Sequence, residues 1–123
     1  MSAIAIVHPS GLLGKELRET LEHRPEFGFD IRLLSTRDDE IGTLTEVAGA
    51  AAVVSRYEPE SLQGVRIAFF CGPMEANRPI LNELPPETTG VILSYDATAD
   101  DGFPAVAGVN TGAARAHRVL VSP

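Results

Sequence analysis

The sequence predicts an α/β domain with a mostly parallel, twisted sheet between two layers of helices. Short apolar runs alternate with helical patterns along the whole chain, which is typical of βαβ units. The 123 residues, 44% of them hydrophobic, are enough for one buried core and match the common size of a single domain. We therefore expect one domain, residues 1–123, with a three-layer fold.

The first predicted unit is a strand followed by an amphipathic helix. Residues 4–7 form a continuous apolar run, as expected for a strand buried on both faces. The period becomes helical from Gly11, with Ser10 as the predicted N-cap and Pro25 as the stop. One face of this helix carries four leucines, which are Leu12, Leu13, Leu17 and Leu21.

The later elements continue this alternation of strands and helices. The remaining predicted strands are 29–34, 50–54, 65–70, 91–93, 103–107 and 119–121. A polar turn at 35–42 and a helical turn at 58–62 separate some of them. We expect Asn77 to cap a short helix that holds Pro79 in its first turn, where a missing N–H is harmless.

Composition restricts the partners of the chain. A net charge of −7 disfavours binding to the phosphate backbone of nucleic acid. With one cysteine, Cys71, the chain forms no internal disulfide and no cysteine-based metal site. No apolar run approaches the roughly 18–20 residues that span a bilayer, and the N-terminus lacks a secretory leader. We therefore expect a cytoplasmic protein without nucleic-acid, membrane or metal partners.

The turn after the first predicted strand carries the most informative motif. Gly11 and Gly14 match the second and third glycines of the dinucleotide fingerprint, which serve close approach of the pyrophosphate and helix–strand contact. His8 stands where the first glycine is expected, either as a steric replacement or as a functional residue, and Pro9 removes one backbone donor. The pattern predicts a pyrophosphate site, and the alternative is a glycine-punctuated turn without a ligand.

The residues at the end of the second predicted strand distinguish an NAD site from an NADP site. NAD sites place an acidic residue there, about 20 residues past the glycines, whereas NADP sites place polar and basic groups. This chain has Ser35 and Arg37, and a guanidinium can hold a 2′-phosphate. The alternative is that Arg37 is a solvated loop charge for which Asp38 and Asp39 compete.

Three segments resemble one protein family in order and spacing. They are GLLGKEL at 11–17, LLSTR at 33–37 and GVRIAFF at 64–70. They resemble the Rossmann-type N-terminal domain of aspartate-semialdehyde dehydrogenase, whose close relative is N-acetyl-γ-glutamyl-phosphate reductase. Looser matches at 103–110 and 119–123 extend the resemblance over essentially the whole chain.

The resemblance implies a domain for NADP-dependent reductive dephosphorylation of an acyl phosphate to an aldehyde, or the reverse reaction. In that family a cysteine forms a thioester, a histidine handles protons and arginines hold the anions. The implied cofactor contacts are Ser10, Gly11, Leu12 and Gly14 at the pyrophosphate, Ser35 and Arg37 near the adenosine ribose, and Cys71 and Gly72 in a loop near the cofactor.

The chain also departs from that family. It ends at Pro123, before the family's nucleophile, and Gly108 stands at the position of the family's glutamate. Residues 94–100 lack the expected phosphate-binding arginine, and Asp100 and Asp101 either repel an acyl phosphate or form a solvated loop. We expect Cys71 to be a buried structural cysteine, because nothing nearby in sequence lowers the pKa of its thiol. No catalytic residue is therefore predicted.

Two functional hypotheses stay open on the sequence. The first is an NADP(H)-binding domain that works with a separate catalytic domain or within a homo-oligomer. The second is a non-enzymatic relative for assembly or regulation whose cofactor pocket is lost. A complete small enzyme built on Cys71 is disfavoured. His23 and His117 are expected at a helix C-terminus and at the surface, respectively.

Overall fold

A computed structural model describes residues 3–9, 19, 30–47, 50–94, 96–98, 100–104 and 119–121. Within these residues the main sheet has seven strands, and all of their pairings are parallel. The strands are β1 (Ala3–Val7), β2 (Asp30–Ser35), β5 (Ser55–Arg56), β6 (Val65–Phe70), β7 (Thr89–Ile92), β8 (Phe103–Pro104) and β9 (Val119–Val121). Strands β3 (Leu44–Val47) and β4 (Ala50–Val53) form a separate antiparallel hairpin, and the described helices are a 3-10 helix (Pro59–Leu62) and α1 (Met74–Leu81). This architecture confirms the predicted α/β class.

The strand order places a topological switch beside β1. The order across the sheet is β5-β2-β1-β6-β7-β9-β8, so the chain leaves β1 for β2 on one side and reaches β6 on the other. In open parallel sheets, ligands bind outside the carboxyl ends of the strands at such a switch point. The carboxyl ends of β1, β2 and β6 therefore frame the place where a ligand is expected.

Strand β1 is the centre of the core because both of its faces are covered. Its five residues are at most 3% exposed. Ala3, Ala5 and Val7 belong to one cluster, with Phe70 of β6 and Met74 and Ile80 of α1 among its members. Ile6 belongs to a second cluster with three other buried side chains, those of Leu33, Val54 and Cys71. This two-sided burial explains why the strand is apolar at every position.

Most predicted strands are present, with small shifts at their ends. The strand predicted at 91–93 begins earlier, at Thr89, and ends at Ile92. Only Phe103–Pro104 of the predicted strand 103–107 lies within the described residues. Strand β3 of the hairpin was not predicted. Of the first predicted helix, Glu19 alone is described, and it is helical and exposed.

The predicted start of α1 is wrong. The helix begins at Met74 after Pro73, so Asn77 lies inside it and Pro79 lies beyond its first turn. Asn77 does not cap the helix because its side chain is buried and bonded to groups at the sheet edge. The amide that Pro79 lacks would bond to the carbonyl of Glu75.

Candidate functional site

The candidate site lies at the switch point, where four elements present their ends. His8 follows β1, Thr36 follows β2, and Cys71 and Gly72 join β6 to α1. Ser94 follows β7 at the same edge of the sheet. Because the strands are parallel, all of these residues lie at one edge, and the first residues of α1 lie there as well.

His8 has a backbone conformation that normally belongs to glycine. Its φ is 57°, and it is the one non-glycine residue of the described part with a positive φ. This conformation is strained for any residue other than glycine and persists only where the surrounding structure holds it. Such strain clusters at functional sites. The chain thus keeps the tight turn of the first fingerprint glycine and adds an imidazole that is only 2% exposed.

The imidazole of His8 connects α1 to the end of β2. Its Nδ1 lies 2.7 Å from Oδ1 of Asn77, and its Nε2 lies 3.0 Å from Oγ1 of Thr36. The backbone N–H of Thr36 also donates to Nε2, at 3.3 Å. Because Nε2 accepts this hydrogen bond, the proton of the neutral ring is on Nδ1 and is donated to Asn77.

Asn77 extends the network to the other strands. Its Nδ2 donates to the carbonyl of Cys71 at 2.8 Å and to Oγ of Ser94 at 3.0 Å. The hydroxyl of Ser94 in turn donates to the carbonyl of Phe70 at 3.4 Å. One buried amide therefore links the ends of β1, β6 and β7, and His8 carries the link to β2. Sequence reasoning missed this role of Asn77.

The surroundings of His8 favour the neutral ring. Burial lowers the pKa of His8 below its ordinary value, and this is the largest effect. The hydrogen bond to Asn77 and the buried carboxylate of Glu40 oppose that shift, while the positive charge of Arg37 adds to it. The network is thus built around an uncharged imidazole.

Ser35, at the end of β2, and Arg37 flank Thr36 in the chain. The Ser35 side chain is buried, and its Oγ accepts a hydrogen bond from the N–H of Arg37 at 3.0 Å. The Arg37 side chain is about half exposed, with its Nε 3.7 Å from a carboxylate oxygen of Asp39. Asp38 bonds instead to Arg56, at 2.8 Å. Of the two acids expected to compete for Arg37, Asp39 is the one that pairs with it.

Cys71 and Gly72 occupy the loop between β6 and α1. Cys71 is fully buried among core residues, which confirms the prediction of a buried cysteine. Its N–H donates to the carbonyl of Val7 at 3.0 Å, so its backbone is tied to β1 as well as to Asn77. Gly72 has a φ of 73°, and a Cβ placed there would lie 3.1 Å from Cβ of His8. The loop and His8 are in close contact.

Two acidic side chains, those of Asp96 and Asp101, bond to α1. The N–H of Met74, the first residue of α1, donates to both carboxylate oxygens of Asp96, at 3.1 and 3.3 Å. Asp101 accepts hydrogen bonds from Arg78, at 3.0 and 3.4 Å, and from the N–H of Thr98 at 2.8 Å. The prediction of a solvated Asp101 is therefore wrong, whereas Asp100 is exposed.

Several predicted residues lie outside the described part of the chain. They are Ser10, Gly11, Leu12, Gly14, His23, Gly108 and His117. Pro9, next to the predicted pyrophosphate turn, is described and is buried. Among the described residues, no three of His, Cys, Asp and Glu are arranged to hold a metal ion. Within the same residues, none of the helices has both the length and the apolar character needed to cross a membrane.

Comparison with the sequences of known proteins tests the family resemblance described above. No family model matches the chain. Aspartate-semialdehyde dehydrogenase of Bacillus subtilis is 34% identical to it over 67 residues, which are 54% of this chain and 19% of that protein. The resemblance to aspartate-semialdehyde dehydrogenase is confirmed in sequence. It rests on about half of the chain.

Solved structures extend the resemblance to the whole fold. A probable aspartate-semialdehyde dehydrogenase from Pseudomonas aeruginosa superposes with a TM-score of 0.83 at 22% identity, over 99% of this chain and 37% of that one. Aspartate semialdehyde dehydrogenase II from Vibrio cholerae gives a TM-score of 0.77 at 20% identity, over 98% of this chain and 41% of that one. The fold is therefore the Rossmann-type domain of those enzymes, and the chain spans less than half the length of each.

Proposed function

We propose that residues 1–123 form the NADP(H)-binding domain of a cytoplasmic, semialdehyde-dehydrogenase-like oxidoreductase. In this proposal the chain supplies the cofactor site, and the catalytic groups come from another domain or subunit. The matched enzymes are more than twice as long as this chain, which leaves room for such a part.

The observation that carries the proposal is the position of Arg37. Arg37 is the second residue after the carboxyl end of β2, next to the switch point, and in this class of fold the adenosine ribose of a dinucleotide binds near the end of the second strand. The hydrogen bond from its N–H to Oγ of Ser35 fixes the backbone. Its ion pair with Asp39 is long and exposed, and exposed pairs contribute little energy. A 2′-phosphate can therefore displace Asp39 at small cost, and NADP fits this end of the site better than NAD.

The second candidate is a relative without a cofactor, used for assembly or regulation. The observation that favours it is the side chain of His8, which fills space that the first fingerprint glycine leaves open. The two candidates differ in one measurable property, the affinity for the dinucleotide.

The test is a titration of the purified chain with NADPH and with NADH, followed by nucleotide fluorescence and by thermal unfolding. We expect saturable binding of NADPH in the millimolar range or below, and weaker binding of NADH. Replacement Arg37→Ala should weaken NADPH binding about tenfold, since one charge-assisted contact to phosphate is lost, and should leave NADH binding nearly unchanged.

The matched control is Arg66→Ala, which removes an equal charge from an exposed residue near the amino end of β6. It should bind both nucleotides as the unmodified chain does. If millimolar NADPH causes neither a fluorescence change nor a shift in melting temperature, the proposed function is wrong and the second candidate is favoured. Equal losses in the two arginine variants would mean that only general charge attraction is measured.

A further inference from the structure

We propose that His8 is an internal ligand of the dinucleotide site, and that its imidazole lowers the affinity for the cofactor by occupying donors that the cofactor needs. This inference rests on the proposed function and adds an autoinhibitory contact to it. The chain would then bind dinucleotide weakly as it stands and more tightly once the imidazole is removed.

The first step of the argument is the position of the side chain. The backbone at His8 has the left-handed conformation of a glycine turn, and Gly72 of the neighbouring loop packs against its Cβ. The imidazole extends from there along the sheet edge to Thr36, past the carboxyl ends of β1 and β2. A dinucleotide bound at the switch point crosses the same edge, so the ring and the cofactor compete for space.

The second step concerns hydrogen bonds. Nε2 of His8 takes both donors of Thr36, the backbone N–H and the hydroxyl. Thr36 stands between Ser35 and Arg37, the two residues proposed to contact the ribose and its phosphate. A ribose oxygen or a 2′-phosphate oxygen can use the donors of Thr36 only after Nε2 has released them.

An independent observation on the other side of the switch point agrees with this picture. The N-terminus of a helix favours an anion, and the first N–H of α1 already bonds to the carboxylate of Asp96. At one end of the site, the donors of Thr36 bond to the neutral imidazole of His8. At the other end, the N–H of Met74 bonds to the negatively charged carboxylate of Asp96.

Competition of this kind reduces the apparent affinity by the fraction of molecules in which the site is open. If the imidazole leaves Thr36 in about one molecule in ten, its removal should raise the affinity about tenfold. Glycine at position 8 suits the φ of 57° and leaves the turn without a side chain. Asparagine also tolerates this conformation, and it is too short to reach both Asn77 and Thr36.

The experiment compares NADPH dissociation constants of the unmodified chain, His8→Gly and His8→Asn. Amide spectra of isotopically labelled protein follow the N–H signal of Thr36 as a second readout. The matched control is Thr88→Val, which removes a buried hydroxyl that donates to the carbonyl of Val65 at 2.7 Å, near the opposite edge of the sheet. Thermal unfolding checks that every variant is folded.

We expect both His8 variants to bind NADPH about tenfold more tightly, with a shifted Thr36 signal before nucleotide is added, while Thr88→Val keeps the original affinity. Unchanged or weaker binding by both folded His8 variants, with the unmodified chain still binding, would overturn the inference and leave the proposed function intact. Absence of binding by the unmodified chain and by both variants would overturn the inference together with the proposed function.

Discussion

Nδ1 of His8 and Oδ1 of Asn77 are 2.7 Å apart and join a strand end to the interior of a helix 69 positions away in the chain. Both side chains are at most 2% exposed. The bond holds α1 against β1 at the switch point of the sheet, and the same amide bonds to Cys71 and Ser94. The stability of the fold and the shape of the candidate site therefore depend on the same few polar groups.

Replacing Asn77 should be costly for this reason. In Asn77→Ala, the ring N–H of His8 and the carbonyl of Cys71 lose buried partners, and each such loss costs about 1–3 kcal/mol. We expect the free energy of unfolding to fall by about 2–4 kcal/mol, as measured by urea denaturation. Asn82→Ala, at an exposed position at the end of the same helix, is the control and should change it by less than about 0.5 kcal/mol. Similar losses in the two variants would contradict the role given to Asn77.

The depressed pKa of His8 makes stability depend on pH in a definite direction. Below the ordinary histidine pKa of about 6.5, the unfolded chain binds a proton that the folded chain does not bind until its own, lower pKa is reached. The contribution of His8 is therefore fully present above about pH 6.5 and is lost progressively as the pH falls towards the folded pKa. Urea denaturation between about pH 8 and pH 5 should show this loss.

His8→Asn should lack that part of the pH dependence because asparagine does not titrate. The difference between the two proteins isolates His8 from the other histidines, His23 and His117. An NMR titration of the His8 ring gives the folded pKa directly. A value at or above 6.5 would show that burial is not the dominant influence on this side chain.

The sheet was predictable because its signals are local. β1 carries an unbroken apolar run, which follows from burial of a parallel strand on both faces, and β6 is apolar except at the exposed Arg66. The hairpin strand β3 was missed because it is only four residues long and mixes apolar with polar residues. Leu44 of β3 faces Val53 of β4 across the hairpin, and both side chains are largely exposed, at 74% and 51%.

The polar network was not predictable from any local pattern. The sequence places His8 at the carboxyl end of the first strand, and this position is confirmed. Nothing near Asn77 in the sequence indicates a partner 69 positions away, and an asparagine two residues before a proline suggests a helix cap instead. The contact between Gly72 and His8 is also non-local, since only folding brings the ends of β1 and β6 together.

The ion pair between Arg78 and Asp101 should be visible as a shifted carboxyl titration. The hydrogen bond from Arg78 is the largest cause of the lowered pKa of Asp101, followed by the bond from the N–H of Thr98. This carboxylate stabilises the fold above its unfolded pKa of about 3.9, and the contribution is lost as the pH falls through the lower folded value. In Arg78→Ala, we expect the pKa of Asp101 to rise towards its ordinary value, as followed by carboxyl carbon NMR. Arg66→Ala serves as the control, and a shift of equal size there would point to general charge effects.

A comparison of two glycines can measure the contact between His8 and the loop after β6. Gly72 and Gly64 have similar positive φ values, 73° and 77°, so alanine is strained by the backbone at both positions. At Gly64 the added Cβ meets nothing within 4 Å, whereas at Gly72 it lies 3.1 Å from Cβ of His8. We expect Gly64→Ala to lower the free energy of unfolding by about 1 kcal/mol and Gly72→Ala to lower it by about 1–2 kcal/mol more. In a double-mutant cycle, the extra loss should disappear on a His8→Gly background, because the clashing side chain is gone. Equal costs at the two glycines, or an extra loss that persists in the His8→Gly background, would mean that the His8 side chain is not in close contact with this loop.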